Sequence, residues 1–195
     1  MDKPLKIYLG DLTYNTVTLA TEAFPLNVGY IASYCKKLFG SNVNITLFKY
    51  IDELEKAVID NPPDILGLSN YCWSHNVSYE IFKLCKEKNP NAVTVWGGPN
   101  FPLDSPSQIK FMKRYPSVDV YIPTEGEIGF VNTVKLVSNS NSKENIFELL
   151  KKNPIDGCIT RKENGGLQQT ISSIRISKLD EIPSPYQNGM LDKFF

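Results

Sequence analysis

The residues best suited to chemistry fall in four short loops, each directly after an apolar run: Gly10-Asp11-Leu12-Thr13, Ser69-Asn70-Tyr71-Cys72-Trp73, Gly97-Gly98-Pro99-Asn100 and Thr124-Glu125-Gly126-Glu127. Gly97 and Gly98 lack a Cβ, so a large flat or phosphorylated ligand can approach their backbone, although a tight turn uses glycine equally well. Ser69 ends an apolar run and offers its hydroxyl either to a ligand or as a helix N-cap, a role for which Ser74 competes. Glu125 and Glu127 flank Gly126 at a helix start. There they either complement the helix dipole or accept hydrogen bonds from the hydroxyls or amides of a ligand. Tyr71 and Trp73 either stack on a ligand plane or cover a sheet edge.

Several other chemistries are excluded by what is missing. Neither GxGxxG nor GxxxxGKS/T occurs, which removes the best support for a dinucleotide or nucleoside triphosphate site. His75 is the only histidine, so no mechanism built on a histidine cluster is available. Paired with Cys72 it has no third group to place it as a base, and that pair is not expected to be catalytic. The four cysteines, Cys35, Cys72, Cys85 and Cys158, form no CxxC pair, which argues against a zinc site or a thioredoxin-like motif. Cys35 and Cys85 lie on apolar helix faces and are expected in the core.

Twenty-one basic residues balance 21 acidic ones, so no net field draws nucleic acid or an anionic membrane. No apolar stretch approaches the roughly 18 residues of a membrane span, and the opening MDKPLKIYLGD lacks the apolar core of a signal peptide. A cytoplasmic protein without nucleic-acid or membrane partners is expected.

The elements that must position these loops follow from hydrophobic period. Runs rich in β-branched residues at Lys6 to Leu12, Asn44 to Phe48, Asp64 to Ser69, Ala92 to Trp96 and Val118 to Ile122 read as five strands. Between the first two, Val28, Ile31, Ala32, Cys35, Leu38 and Phe39 recur at helical spacing and are closed by Gly40. Ile51 to Ile59, Val77 to Lys86, Ser107 to Arg114 and Ile128 to Val137 repeat that role. Five βα units predict an α/β fold, a flavodoxin-like doubly wound five-stranded parallel sheet, in which ligands bind at the carboxyl ends of the strands.

Ser138 to Glu144 reads as a polar surface connection. After it come a short helix at Ile146 to Lys152 and a β-hairpin, Gly157 to Arg161 and Leu167 to Ile171, turning on Glu163-Asn164-Gly165-Gly166. Two regions are thus predicted, 1–140 as the ligand-binding domain and 141–195 as helix, hairpin and connector. Met190, Leu191, Phe194 and Phe195 form an apolar cluster at the end that nothing downstream in the sequence covers.

With the loops laid out, the chain resembles the cobalamin-binding domain at the N-terminus of class B radical S-adenosylmethionine (SAM) enzymes. Pro25-Leu26-Asn27-Val28-Gly29-Tyr30-Ile31-Ala32-Ser33-Tyr34 is similar to the first helix of that family, and Ile65-Leu66-Gly67-Leu68-Ser69 and Val95-Trp96-Gly97-Gly98-Pro99 to its third and fourth strands. Glu125-Gly126-Glu127 resembles the glycine between carboxylates after strand five. Leu179-Asp180-Glu181-Ile182-Pro183-Ser184-Pro185-Tyr186 is similar to the connector that leads into the radical SAM barrel.

The resemblance implies a Rossmann-like B12 fold and cobalamin as cofactor. It implies that Ser69, Gly97, Gly98 and Pro99 receive the nucleotide tail and that Glu125, Gly126 and Glu127 border it. The corrin would then lie across the loops of Thr13, Tyr14 and Tyr71. The CxxxCxxC motif that holds a 4Fe-4S cluster and SAM does not occur in this sequence, so the barrel, as partner, is expected outside it. The parent enzyme is expected to transfer methyl groups, and this part to bind cofactor without catalysing. Related cobalamin domains carry DxHxxG after strand one, with the histidine beneath cobalt. Here the stretch is Asp11-Leu12-Thr13-Tyr14-Asn15-Thr16, and Thr13 takes the histidine's place, implying base-off cobalamin without that ligand. His75, Tyr14 or water is left for the lower face, with His75 equally readable as a surface helix residue.

The alternative is a flavodoxin-like receiver or protein-interaction module without cofactor. A receiver needs a carboxylate cluster and a lysine after strand five. Asp11 supplies one acid, but Pro123 and Thr124 stand where the lysine would be.

Overall fold

Strands covered on both faces are apolar at every position, and Ile65–Ser69 is buried at all five of its residues. In a computed structural model that describes residues 3–14, 24–140, 145–170 and 175–195, this run is an interior strand, third in the order of a seven-stranded sheet. The strands are β1 (Leu5–Thr13), β2 (Val43–Tyr50), β3 (Ile65–Ser69), β4 (Val93–Gly97), β5 (Val120–Ile122), β6 (Ile159–Arg161) and β7 (Leu167–Gln169). Their order is β2-β1-β3-β4-β5-β6-β7. The first five run parallel, as expected from the βα repeat.

Side-chain alternation splits the core into two layers. Ile7, Leu9, Ile65, Val93, Val95, Val120 and Ile122 face α1 (Leu26–Phe39) and α5 (Gly126–Asn139). Tyr8, Leu66, Leu68, Trp96 and Tyr121 face α2 (Ile51–Asp60), α3 (His75–Lys88) and α4 (Ser105–Arg114). Cys35 and Cys85 lie in these layers as predicted, and Cys158 joins them. Burial pushes all three thiols up to about 12, so none is a thiolate at neutral pH. Among the described residues no helix is long and apolar enough to cross a membrane.

Two expectations need correction. The predicted hairpin is not a separate appendage: β6 pairs antiparallel with β5, and β7 with β6, so the sheet has seven strands rather than five. β5 would otherwise present a row of unpaired backbone groups, and the hairpin satisfies them. Arg161 fastens it further, its guanidinium donating to the carbonyls of Met112 and Tyr115 at the end of α4. The tail is also not left uncovered. Leu191 is fully buried in the α1 and α5 layer, and Met190 and Phe194 pack against that layer. Room for it comes from Gly29 on α1, where an added Cβ would lie 3.2 Å from Pro185 and 3.3 Å from Leu191. Only Phe195 stays largely outside, 79% exposed.

The helix Ile146–Lys152 (α6) forms as predicted. Asn15, Thr16, residues 141–144 of the polar connection and Ile171 at the hairpin end lie outside the described residues. Because Leu191 belongs to the main core, Leu191→Ala should destabilise the chain by about 2–5 kcal/mol, with a lower midpoint in urea unfolding.

Candidate functional site

The order of the strands reverses between β1 and β3, so the helices that follow β1 and β2 leave to opposite faces and a crevice opens at the carboxyl ends. A cleft of about 380 Å³ occupies this position, running between α1 and α5. Its floor is Leu9, Gly67, Val95 and Ile122, and its walls include Val28, Ile31 and Phe130. Eight predicted residues converge on it: Ser69, Tyr71, Gly97, Gly98, Pro99, Glu125, Gly126 and Glu127. Thr13 and Tyr14 do not. They line a neighbouring hollow of about 370 Å³ with Asp11, Phe24 and Trp73.

Each polar group in the cleft can be traced. The Asn27 amide donates to Ser69 Oγ at 3.0 Å, and both side chains hydrogen-bond the Asp11 carboxyl. Ser69 is therefore not an N-cap; Ser74 holds the N-cap position of α3, with no side-chain capping bond. Burial raises the Asp11 pKa above the ordinary carboxylate range, against the lowering effect of Ser69 and Asn27. This cluster joins the cleft to the hollow, since Ser69 and Asn27 line the first and Asp11 the second. Tyr71 and Trp73 bridge the same boundary, their rings stacked at 4.6 Å and 4°. They stack on each other in this state, and Trp73 remains 56% exposed.

The glycines serve different ends. Gly98 has φ +126° and an added Cβ would lie 3.0 Å from the Asn70 carbonyl, so that position requires glycine. Gly97 has ordinary backbone, and a Cβ there would meet nothing nearer than 3.5 Å. On the same face of β4 as Val95, it keeps the cleft floor open rather than making a turn possible. At Gly126 a Cβ would fall 2.5 Å from Ile31 Cδ1, so this glycine lets α5 approach α1. Glu125 Oε1 pairs with Arg175 at 2.9 Å, while its Oε2 is buried without a partner among the described residues.

His75 is not a surface helix residue. Its ring stacks on Trp96 at 4.6 Å, and its two nitrogens lie 2.8 Å from Asn70 Oδ1 and 2.8 Å from the Tyr115 hydroxyl. Both nitrogens are thus engaged on the sheet face opposite the cleft, which leaves neither to act as a base for Cys72. Burial and the Arg114 charge lower its pKa below the usual histidine range.

Asn27, Ile31, Phe130 and Asp11 were not assigned to the site from sequence. Asn27 carried a signal, a polar residue at the start of an apolar helix face. In the sequence Asp11 stands in a candidate loop but has no ligand role of its own. Ile31 and Phe130 read as ordinary core.

The family model of the B12 binding domain matches residues 13–134, more than half of the chain. The chain belongs to the B12-binding domain family. This B12-binding domain is 27% identical over 180 residues to the cobalamin-dependent radical SAM methyltransferase TokK of Streptomyces tokunonensis, covering 86% of the chain and 24% of that protein. It is 30% identical over 146 residues to 2-(S-pantetheinyl)-carbapenam-3-carboxylate methyltransferase of Streptantibioticus cattleyicolor, covering 73% of the chain and 19% of that protein. Its fold is similar to that of the cobalamin-dependent SAM radical enzyme OxsB with aqua-cobalamin bound, at TM-score 0.68 and 21% identity over 98% of this chain and 25% of that one. The chain spans a fifth to a quarter of the length of these relatives.

The raised pKa of Asp11 has a stability consequence. The native state holds this proton more tightly than the unfolded chain, so burying the carboxylate opposes folding above its raised pKa and not below the ordinary value of about 3.9. Asp11→Asn should therefore raise the thermal midpoint at pH 7, and the gain should vanish as pH falls into the carboxylate range, as measured by paired melts across pH.

Proposed function

We propose that this chain binds cobalamin base-off at the carboxyl edge of its sheet and presents it to a radical SAM barrel elsewhere in a longer, methyl-transferring enzyme. Residues 1–140 supply the cleft, and 141–195 the helix, hairpin and connector toward that barrel. The observation that carries the reading is the cleft between α1 and α5 within a B12-binding fold, glycine-floored, apolar-walled and rimmed with hydrogen-bonding groups.

The residues present fit the group. Gly97 leaves space where a side chain would stand, and Glu125 Oε2 is a buried acceptor with no donor among the described residues, matching the amides and hydroxyls of a cobalamin tail. A cleft of about 380 Å³ suits a planar base and its ribose, not a corrin with its amide chains. Ser69, Gly97, Gly98 and Pro99 would then hold the tail between α1 and α5, with Glu125, Gly126 and Glu127 bordering it. Thr13 and Tyr14 in the adjoining hollow, with Tyr71 beside it, would lie against the corrin.

Bound cobalamin supplies the organometallic chemistry of methyl transfer. The chain itself orients the cofactor and excludes water from the tail. It offers no imidazole below the corrin: Thr13 ends β1 there, and His75 is engaged on the other face. This supports the base-off reading. The cofactor-free module is less well supported, because a connecting module has no need of a glycine-floored cleft at the strand-order reversal. Titration with hydroxocobalamin and methylcobalamin tests the proposal. We expect saturable base-off ultraviolet-visible changes that Gly97→Leu, which fills the floor without backbone strain, weakens at least tenfold. An unchanged spectrum from the folded chain, and from the longer protein containing it, rejects the reading.

A further inference from the structure

Behind the cleft, on the face of α3 and α4, five polar side chains form one connected cluster. Asn70 is its centre and is fully buried. Its backbone N–H donates to the Gly97 carbonyl at 2.6 Å, and its backbone carbonyl accepts from Asn100 N–H at 3.3 Å. The side-chain amide donates to the Asn100 carbonyl at 2.8 Å and to the Tyr121 hydroxyl at 3.0 Å. Those two donations fix which way the amide points, so its Oδ1 must face His75 and Asn100 Nδ2, 2.8 and 3.2 Å away.

The directions of the remaining bonds follow. Asn70 Oδ1 is an acceptor, so His75 Nδ1 carries a proton, and Asn100 Nδ2, 3.2 Å from both atoms, donates to Asn70 Oδ1 and not to the ring; in a neutral ring Nε2 then accepts from the Tyr115 hydroxyl. The Tyr121 hydroxyl accepts from Asn70 and donates to the Gly98 carbonyl at 2.8 Å. A single chain of four bonds thus runs from Tyr115 through His75, Asn70 and Tyr121 to the backbone of the one residue in the cleft loop with positive φ. It requires a neutral ring, which burial beside the Arg114 charge favours.

Resting on the cleft reading above, we infer that Asn70, oriented by His75, is a positioning residue that presets the Gly98 to Asn100 loop for the cobalamin tail from the opposite face of the sheet. No member of the chain behind Asn70 lines the cleft. Their effect is on the shape of the loop before the ligand arrives, which lowers the ordering cost of binding.

Paired substitutions separate this role from plain packing. The amide of His75→Asn reaches the position of Nδ1 and keeps the bond to Asn70. The amide of His75→Gln reaches that of Nε2 and keeps only the bond to Tyr115. Both lose the stacking on Trp96 equally. Hydroxocobalamin titrations of the chain should place His75→Asn within about twofold of the parent. His75→Gln and Tyr121→Phe should bind about fivefold more weakly or worse, the effect of one lost hydrogen bond. Without ligand, the Gly98 and Asn100 amides should exchange faster in His75→Gln than in His75→Asn. Thermal melts check that each variant is folded, and Tyr121→Phe, which removes one oxygen, carries the test if a His75 variant does not fold. Equal affinities and equal exchange for the two His75 variants, or parent-like binding by Tyr121→Phe, overturn the inference while leaving the cleft reading intact. If neither the parent chain nor the longer protein containing it binds, both readings fall.

Discussion

The constraint on which the rest of this structure depends is the reversal of strand order between β1 and β3. A parallel strand must be followed by a crossover that returns it to the same edge, and crossovers of one hand put α1 on one face and α2 on the other. The ends of β1 and β3 are then left with no helix between them. The depth of the crevice is set by how closely α1 and α5 approach the sheet. At Gly67 an added Cβ would stand 2.6 Å from Leu9 Cδ2, and at Gly126 2.5 Å from Ile31 Cδ1. A larger residue at Gly67 would fill the cleft floor, and one at Gly126 would press α5 away from α1.

Two clusters of buried polar groups at the ends of the sheet are tolerated because their members are paired. At the carboxyl end Asn70, His75, Asn100, Tyr115 and Tyr121 bond one another. At the opposite end Asp119 Oδ2 accepts from Lys86 at 2.5 Å, from the Thr94 backbone at 2.8 Å and from the Thr94 hydroxyl at 2.9 Å. Between the two ends the layers are mainly apolar. Unpaired, any of these groups would cost the full desolvation penalty, which is why such clusters rigidify the loops they hold. Among the described residues Glu125 Oε2 is different, a buried acceptor without a donor.

The C-terminal residues make the domain and its connection one body. The hairpin closes the β5 edge, and Leu191 returns to the α1 layer. Phe24, Tyr186 and Phe195 then form an aromatic cluster, with Phe24 4.9 Å from Phe195 and 6.1 Å from Tyr186. Phe24 also lines the hollow beside Thr13 and Tyr14. The C-terminal segment and the hollow beside Thr13 and Tyr14 thus share a side chain, Phe24.

Local patterns in the sequence determined the five βα units, the hairpin and the four loops, because hydrophobic period and glycine punctuation are properties of neighbouring residues. The eight residues that meet in the cleft were legible for the same reason: in a parallel sheet every strand's carboxyl end lies on one edge, so the loops after strands must gather there. What the sequence left open was settled by contacts between distant segments. Whether Ser69 caps a helix or faces a cleft depends on Asn27, 42 residues away. His75 reads as a surface residue until Trp96 and Tyr115 enclose it. Leu191 reads as uncovered until the chain folds back on Gly29. Pairing, burial and edge closure involve partners that no local pattern specifies, so the tertiary structure alone decided them.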